Sequence, residues 1–338
     1  MLLADLMTAT LPVRSAISLP VPPDIDACLE VARRAEALGY ESAWLADTGG
    51  LDPFVLAAAL AKTVAKMRVG IAVSPAYTRT PVVFASMSAS VAQLMPGRFV
   101  LGLGCSSETI VDRWNGVPFE QPLARVRETV TLVRSMLKGE RTSFKGKTVR
   151  SDGFRLMALP PEPVPIYVGA LKPPMLRLAG EVGDGVAVNL FPASALPRMI
   201  GEIERGAARA GRAAAGLEIV CRFQAWVTDD AKGARALIRR FMAGYFTTSV
   251  YNAFAEWCGF AEEARAMREA WAKRDREKTE AAFTDAMIDA ITLVGSETHC
   301  RDRVAEFVAA GLTTPMFHAF APDPQEAWKT LAALAPSR

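Results

Sequence analysis

The sequence predicts a (β/α)8 TIM barrel carrying two insertions. Strand-like and helix-like segments alternate about eight times along its 338 residues, the signature of parallel strands joined by crossover helices. Several strand-like runs, such as Arg68 to Ser74, are almost continuous in apolar residues, as in strands covered on both faces. A right-handed series of that count closes most economically into a barrel, with an open doubly wound sheet as the alternative. At 51% hydrophobic and 22% charged residues, the chain can fill the large core that either fold needs.

The elements follow in order. Pro12 to Pro20 reads as a first strand, with Ile17 and Leu19 on one face. Asp24 suits the N-cap of a helix with Cys28, Ala32 and Ala35 on one side, ended by Gly39. Tyr40 to Asp47 is a second strand, and Asp52-Pro53 opens a helix reaching about Ala65. The third strand, Arg68 to Ser74, precedes a helix from Thr80-Pro81 to Leu94. Pro96-Gly97 is a turn signal before the fourth strand, around Phe99. A helix is expected over 122–138 with Leu123, Val126, Val130, Val133 and Leu137 on one stripe, then a small hairpin within 142–159. The fifth strand is Pro163 to Ala170, and a helix starts near Pro173-Pro174. The sixth strand is Val186 to Leu190, with a helix near 194–210. The seventh strand is Leu217 to Val227 and the eighth Thr314 to Ala321, between helices near 298–310 and 324–335. Segments 108–165 and 229–290 exceed ordinary loop lengths and are expected as insertions on one single-domain barrel.

Composition excludes several functions. A net charge of +3, with no long basic block, gives no footprint for nucleic acid. No apolar run approaches the roughly 18 residues of a membrane span. The N-terminus lacks the basic start of a secretion signal. The five scattered cysteines form no Cys-x-x-Cys pair, which suits the reducing cytoplasm and argues against a zinc site. His299 and His318 are the only histidines, so a histidine-rich metal centre is excluded.

The stretch most suggestive of a site is PGRFVLGLGCSS, residues 96–107. Gly102 and Gly104 permit close approach to the backbone, and the small polar residues Cys105, Ser106 and Ser107 follow. Ser107 stands where a dinucleotide fingerprint needs its third glycine, which argues against a Rossmann site. Glu108 reads as an exposed loop acid.

The run from Pro96 to Glu140 resembles the fourth-strand region of the luciferase-like flavin oxidoreductases, in particular the branch that uses the deazaflavin coenzyme F420. ESAWLADT is similar to that family's second strand and AYTRTPVVFASMSASVAQL to the helix after its third. VPIYVGALKPPMLRLAGEVGDGVAVN is similar to its fifth and sixth strands, and LVGSETHCRDRVAEFVAAGLTTPMF to its C-terminal helix and strand. The resemblance implies an oxidoreductase moving a hydride between F420 and a small organic molecule, with FMN-dependent monooxygenation or non-catalytic flavin binding as alternatives.

It further implies that Gly102, Gly104, Cys105 and Ser106 line the cofactor. Main-chain amides around Gly169, Ala170 and Leu171, and around Gly185 and Val186, would hold its phosphate. A bulge with a non-proline cis peptide, carried over to Ile71-Ala72, would back the ring. Asp47, ending strand two, would lie beside the ring and exchange a proton; Asp-Thr-Gly-Gly is also good turn chemistry. Thr48 stands where some members carry a histidine. Phe241, Tyr245, Phe246, Tyr251, Phe254, Trp257 and Phe260 suit a helical core, a homodimer interface or a wall over an apolar substrate.

Overall fold

The computed structural model describes residues 13–19 and 24–336. Its strands are β1 (Ala16–Ser18), β2 (Ser42–Leu45), β3 (Arg68–Ile71), β4 (Ser74–Pro75), β5 (Phe99–Gly104), β6 (Ser143–Lys145), β7 (Arg150–Asp152), β8 (Ile166–Gly169), β9 (Gly185–Asn189), β10 (Glu218–Val227), β11 (Leu293–Gly295) and β12 (Thr314–Ala319). Eight of them close a parallel barrel in the order β1-β2-β3-β5-β8-β9-β10-β12, with β12 returning to β1. The expected barrel therefore holds, and the open sheet does not. The ends assigned to the first strand, Pro12 and Pro20, lie outside the described residues.

The helix boundaries follow their caps. Asp24 accepts from Asp26 N, Asp52 from Phe54 N and Val55 N, and Thr80 from Val83 N, each satisfying a donor that the first helical turn leaves open. Helix Pro122–Leu137 packs between Pro81–Leu94 and Pro173–Val182 in the outer ring. It is thus a member of the β/α repeat. Only the loop before it and the stretch around the β6–β7 hairpin stand outside that repeat within 108–165.

Between β10 and helix Glu297–Ala309 the chain folds into five helices, 231–242, 249–257, 261–272, 276–281 and 285–291. They bury a second apolar cluster that includes Ile238, Phe246, Met267 and Phe283 and joins the barrel through Trp226 and Leu190. β11 pairs with the far end of β10, an extra strand that the sequence pattern does not signal.

Inside the barrel, large side chains fill space left by glycines on neighbouring strands. A Cβ on Gly70 would lie 2.3 Å from the Trp44 ring, and one on Gly185 2.6 Å from the Tyr167 ring. Below this layer, Glu218 gathers the N-terminal floor. It accepts from Arg68 at 2.5 and 2.9 Å, Tyr167 Oη at 2.7 Å, Thr314 Oγ1 at 2.5 Å and Arg14 at 3.1 Å. Burial raises the Glu218 carboxyl, but the hydrogen bonds and charge of Arg68, with Thr314 and Tyr167, outweigh it and hold it below its ordinary value.

The third strand departs from the expectation. It breaks into β3 and β4 around a cis peptide bond between Ala72 and Val73, one residue later than the bulge assigned to Ile71-Ala72. The ladder explains the shift, because Ala72 N still donates to Leu45 O at 2.8 Å and the chain leaves the sheet only after it.

Candidate active site

The C-terminal ends of the eight strands meet at one mouth, where barrels of this kind carry their chemistry. Its back wall is the break after β3. Val73 turns inward and is half-buried. Three inward-facing glycines make room for it. An added Cβ at Gly102 would lie 1.9 Å from Ile71 O; at Gly104, 2.6 Å from Val73 Cγ2; and at Gly169, 2.9 Å from the same methyl. The room that Gly102, Gly104 and Gly169 leave is taken up by the Ile71 carbonyl and Val73. Ala72 and Ile71 frame the same wall, Ile71 with its side chain buried outside the barrel.

β5 then opens into the polar turn. Ser106 adopts φ 62°, the left-handed region that favours glycine. Cys105 is half-buried at the mouth; burial raises its thiol, with the nearby Lys172 ammonium acting the other way. Ser107 Oγ accepts from Ile110 N at 3.3 Å and caps the wide helical turn Thr109–Trp114. Glu108 is exposed.

Asp47 is tied down. Its Oδ2 accepts from Ser74 Oγ at 2.7 Å and from Arg79 at 2.5 Å, and Arg79 also reaches Asp52 at 2.5 Å. Ser74 begins β4, so Asp47 pins the chain immediately after the bulge to the end of β2. The carboxylate expected to exchange a proton also ties this wall to the end of β2.

The groups expected to form the anion cradle lie at different heights of the barrel. Gly185 and Val186 begin β9, at its N-terminal end, in register with Tyr167 and Val168. Gly185 answers the Tyr167 ring, and Val186 packs into the outer core. Ala170 N donates to Ala187 O at 3.0 Å, so that amide is already used. Helix Pro173–Val182 opens with two prolines, which have no N–H, and the amides of Met175 and Leu176 both donate to Lys172 O. The Lys172 ammonium lies near Cys105 at the mouth.

Sequence reasoning missed the wall opposite the bulge. β10 lies four strands from β3 around the barrel, and its face inside the barrel carries Glu218, Val220, Arg222 and Gln224 in alternation. The Arg222 Nε, Gln224 Oε1 and His318 Nδ1 atoms are buried without a hydrogen-bond partner. Gln224 is in direct register with His318 on β12, and Arg222 with Asn189 on β9. His318 is pushed down to about 3, first by burial and then by the Arg222 charge, against a hydrogen bond to the Ser18 backbone. The signal that could have found this wall was period-two polarity in an otherwise apolar strand, EIVCRFQAWV.

Tyr251 closes over this wall from the helical insertion. Its hydroxyl lies 3.4 Å from Asn189 Oδ1, and burial raises it. Tyr251 feels the charges of both Arg222 and Cys105, so it spans between the turn after β5 and β10. The aromatic stretch is therefore divided. Phe246 and Phe254 are fully buried in packing, Phe241 and Tyr245 are exposed, and Tyr251 meets Asn189 at the end of β9.

Comparison with known proteins decides the family: residues 6–314 match the model described as luciferase-like monooxygenase. The chain belongs to the luciferase-like monooxygenase family. A 5,10-methylenetetrahydromethanopterin reductase of Methanolobus tindarius is 30% identical over 285 residues, covering 83% of this chain and 86% of that one. An F420-dependent glucose-6-phosphate dehydrogenase of Nocardia farcinica is 32% identical over 200 residues, covering 54% of this chain and 60% of the relative. The solved coenzyme F420 dependent tetrahydromethanopterin reductase from Methanopyrus kandleri superposes with a TM-score of 0.82 at 24% identity, over 96% of this chain and 98% of that one, which shows the shared fold. As a member of this family, the chain is an enzyme of the oxidoreductase class. Among the described residues no helix is long and apolar enough to cross a membrane, and no cluster of His, Cys, Asp or Glu has metal-binding geometry.

Proposed function

We propose that this luciferase-like protein uses the deazaflavin coenzyme F420 to move a hydride to or from a small organic substrate. The observation that carries the reading is the Val73 wall: a break between β3 and β4, given room by Gly102, Gly104 and Gly169, that sets an apolar side chain inside a barrel mouth. A planar tricyclic ring fits such a wall, and the buried, unpaired polar atoms of β10 and β12 face it from across the barrel. Two of the relatives described above are named as F420-dependent enzymes, which supports the deazaflavin over FMN.

When bound, a deazaflavin supplies a carbon centre that gives or accepts two electrons as hydride and reacts poorly with oxygen. The chain's own groups do the rest. Val73 and Ala72 support the ring, with Cys105 and Ser106 at its edge. Leu171 and Lys172 hold the anionic tail. Asp47, through Ser74, fixes the bulge and so the ring's depth. Tyr251 and the helical insertion behind it keep water from the gap between ring and β10, where donor and acceptor carbons must align.

The test is a pair of titrations of the cofactor-free protein, with F420 and with FMN, read by ligand fluorescence. F420 should bind at least about tenfold more tightly, a difference of about 1.4 kcal/mol. Tighter FMN binding with oxygen-dependent turnover would make the protein a monooxygenase and overturn the reading.

A further inference from the structure

We infer that Arg222 is the anchor for a carboxylate on the substrate, which makes this site one for organic acids. The inference rests on the placement of the deazaflavin against the Val73 wall and extends it to the opposite side of the mouth.

The guanidinium is the unusual group. Arg222 sits inside the barrel on β10, its Nε buried and without a hydrogen-bond partner. No carboxylate among the described residues answers it; the groups whose charges it feels are the phenols of Tyr245 and Tyr251. Contrast Arg68, in the floor layer at the start of β3, which is held by both oxygens of Glu218. A guanidinium whose Nε is buried without a partner destabilises the fold that holds it. A chain that places one at its functional mouth gains from it only when an anion arrives. Guanidinium geometry suits a planar oxyanion, with Nε and one Nη in parallel toward its two oxygens.

The neighbours fit an acid rather than an inorganic ion. Gln224 Oε1 and His318 Nδ1, adjacent in register, are unpaired acceptors, so they would repel a multiply charged ion but accept a hydroxyl or amine beside a carboxylate. The imidazole donates to the Ser18 backbone, which leaves Nδ1 as its acceptor. Location separates substrate from cofactor: β10 and β3 are four strands apart in an eight-stranded ring, so Arg222 faces the exposed side of a ring resting on Val73.

The experiment uses the full chain without cofactor and acetate as the probe, with acetamide as its neutral counterpart. The Arg222 Nε–Hε resonance, identified by its loss in Arg222→Gln, and the His318 Cε1–H resonance are followed by NMR. Acetate should shift both saturably, and acetamide neither. In Arg222→Gln the His318 response should weaken at least about tenfold, while F420 affinity stays within about threefold. Equal responses to acetate and acetamide, or none, would overturn the anion site. Displacement of F420 by acetate, or a loss of F420 affinity beyond tenfold in Arg222→Gln, would assign the oxyanion to the cofactor and overturn the substrate assignment. An acetate response in a protein that fails to bind F420 would leave the acid site standing and remove the deazaflavin reading alone.

Discussion

Val73 is the side chain around which the mouth is built, and the three glycines facing it make separable predictions. Gly104→Ala and Gly169→Ala each bring a methyl against Val73 Cγ2, whereas Gly102→Ala drives one into the Ile71 carbonyl oxygen. The first two should destabilise by about 1–3 kcal/mol, as overpacking does. Adding Val73→Ala should recover much of that loss, a coupling of about 1–2 kcal/mol in a double-mutant cycle followed by thermal melting. Gly102→Ala should gain nothing from the same second change. Asp47 makes a different prediction. Because its carboxylate holds Ser74 and Arg79, Asp47→Asn should lower stability by about 1.5–3 kcal/mol and weaken F420 binding, since hydrogen bonds to a charged group are lost. Single-turnover hydride transfer at saturating cofactor should change little; a rate loss of a hundredfold or more with normal binding would restore the proton-exchanging role. His318 gives a pH signature. Its folded value lies far below that of a free imidazole, so the unfolded chain takes up a proton first as pH falls. Its contribution to stability is complete above about pH 6.5 and declines toward pH 3, by up to about 1.4 kcal/mol per pH unit. Denaturant melts of wild type and His318→Gln between pH 7 and 4 should therefore converge at the acid end.

At the scale of elements, caps and apolar runs were legible because they are local. Asp24, Asp52 and Thr80 were all readable as N-caps, and helix Pro81–Leu94 begins and ends where its sequence says. What escaped was set by partners distant in sequence. The break after Ile71 depends on where Leu45 O stops supporting the chain, and β11 is a strand only because β10 runs past the barrel rim. The glycines of β5, β8 and β9 looked alike in sequence, yet Gly169 answers Val73 near the mouth and Gly185 answers Tyr167 near the floor. The helical insertion is held from within by Asn252, whose amide donates to Phe246 O at 2.9 Å and Ala264 O at 2.7 Å, and whose Oδ1 accepts from Arg268. Phe254→Ala empties a fully buried site behind it and should cost about 3–5 kcal/mol locally. F420 affinity should stay within a few fold, because Phe254 is fully buried and stacked on Trp257. A large loss of cofactor binding in a folded variant would place this insertion at the ring.

The molecule as a whole divides its two barrel ends between stability and chemistry. At the floor every strong charge is answered; at the mouth several buried polar atoms are not. Glu218→Gln removes the partner of Arg68 and should destabilise by about 3–5 kcal/mol, without altering ligand binding in the protein that remains folded. Because the Glu218 carboxyl is held below its ordinary value, the stability it contributes is present above about pH 4.5 and is lost as pH falls below that. The alternation of strand and helix made the barrel legible from sequence, and the family resemblance pointed to its mouth. The division of labour between the ends was not legible, since Glu218 and Arg222 lie four residues apart on one strand and differ only in what other strands bring to them. The most direct measurement of the central claim is a crystal structure of the protein with F420. The deazaflavin ring should rest in van der Waals contact with Ala72 and Val73, its open face toward Arg222, Gln224 and His318. A ring bound elsewhere, or one whose open face is turned away from β10, would contradict the account.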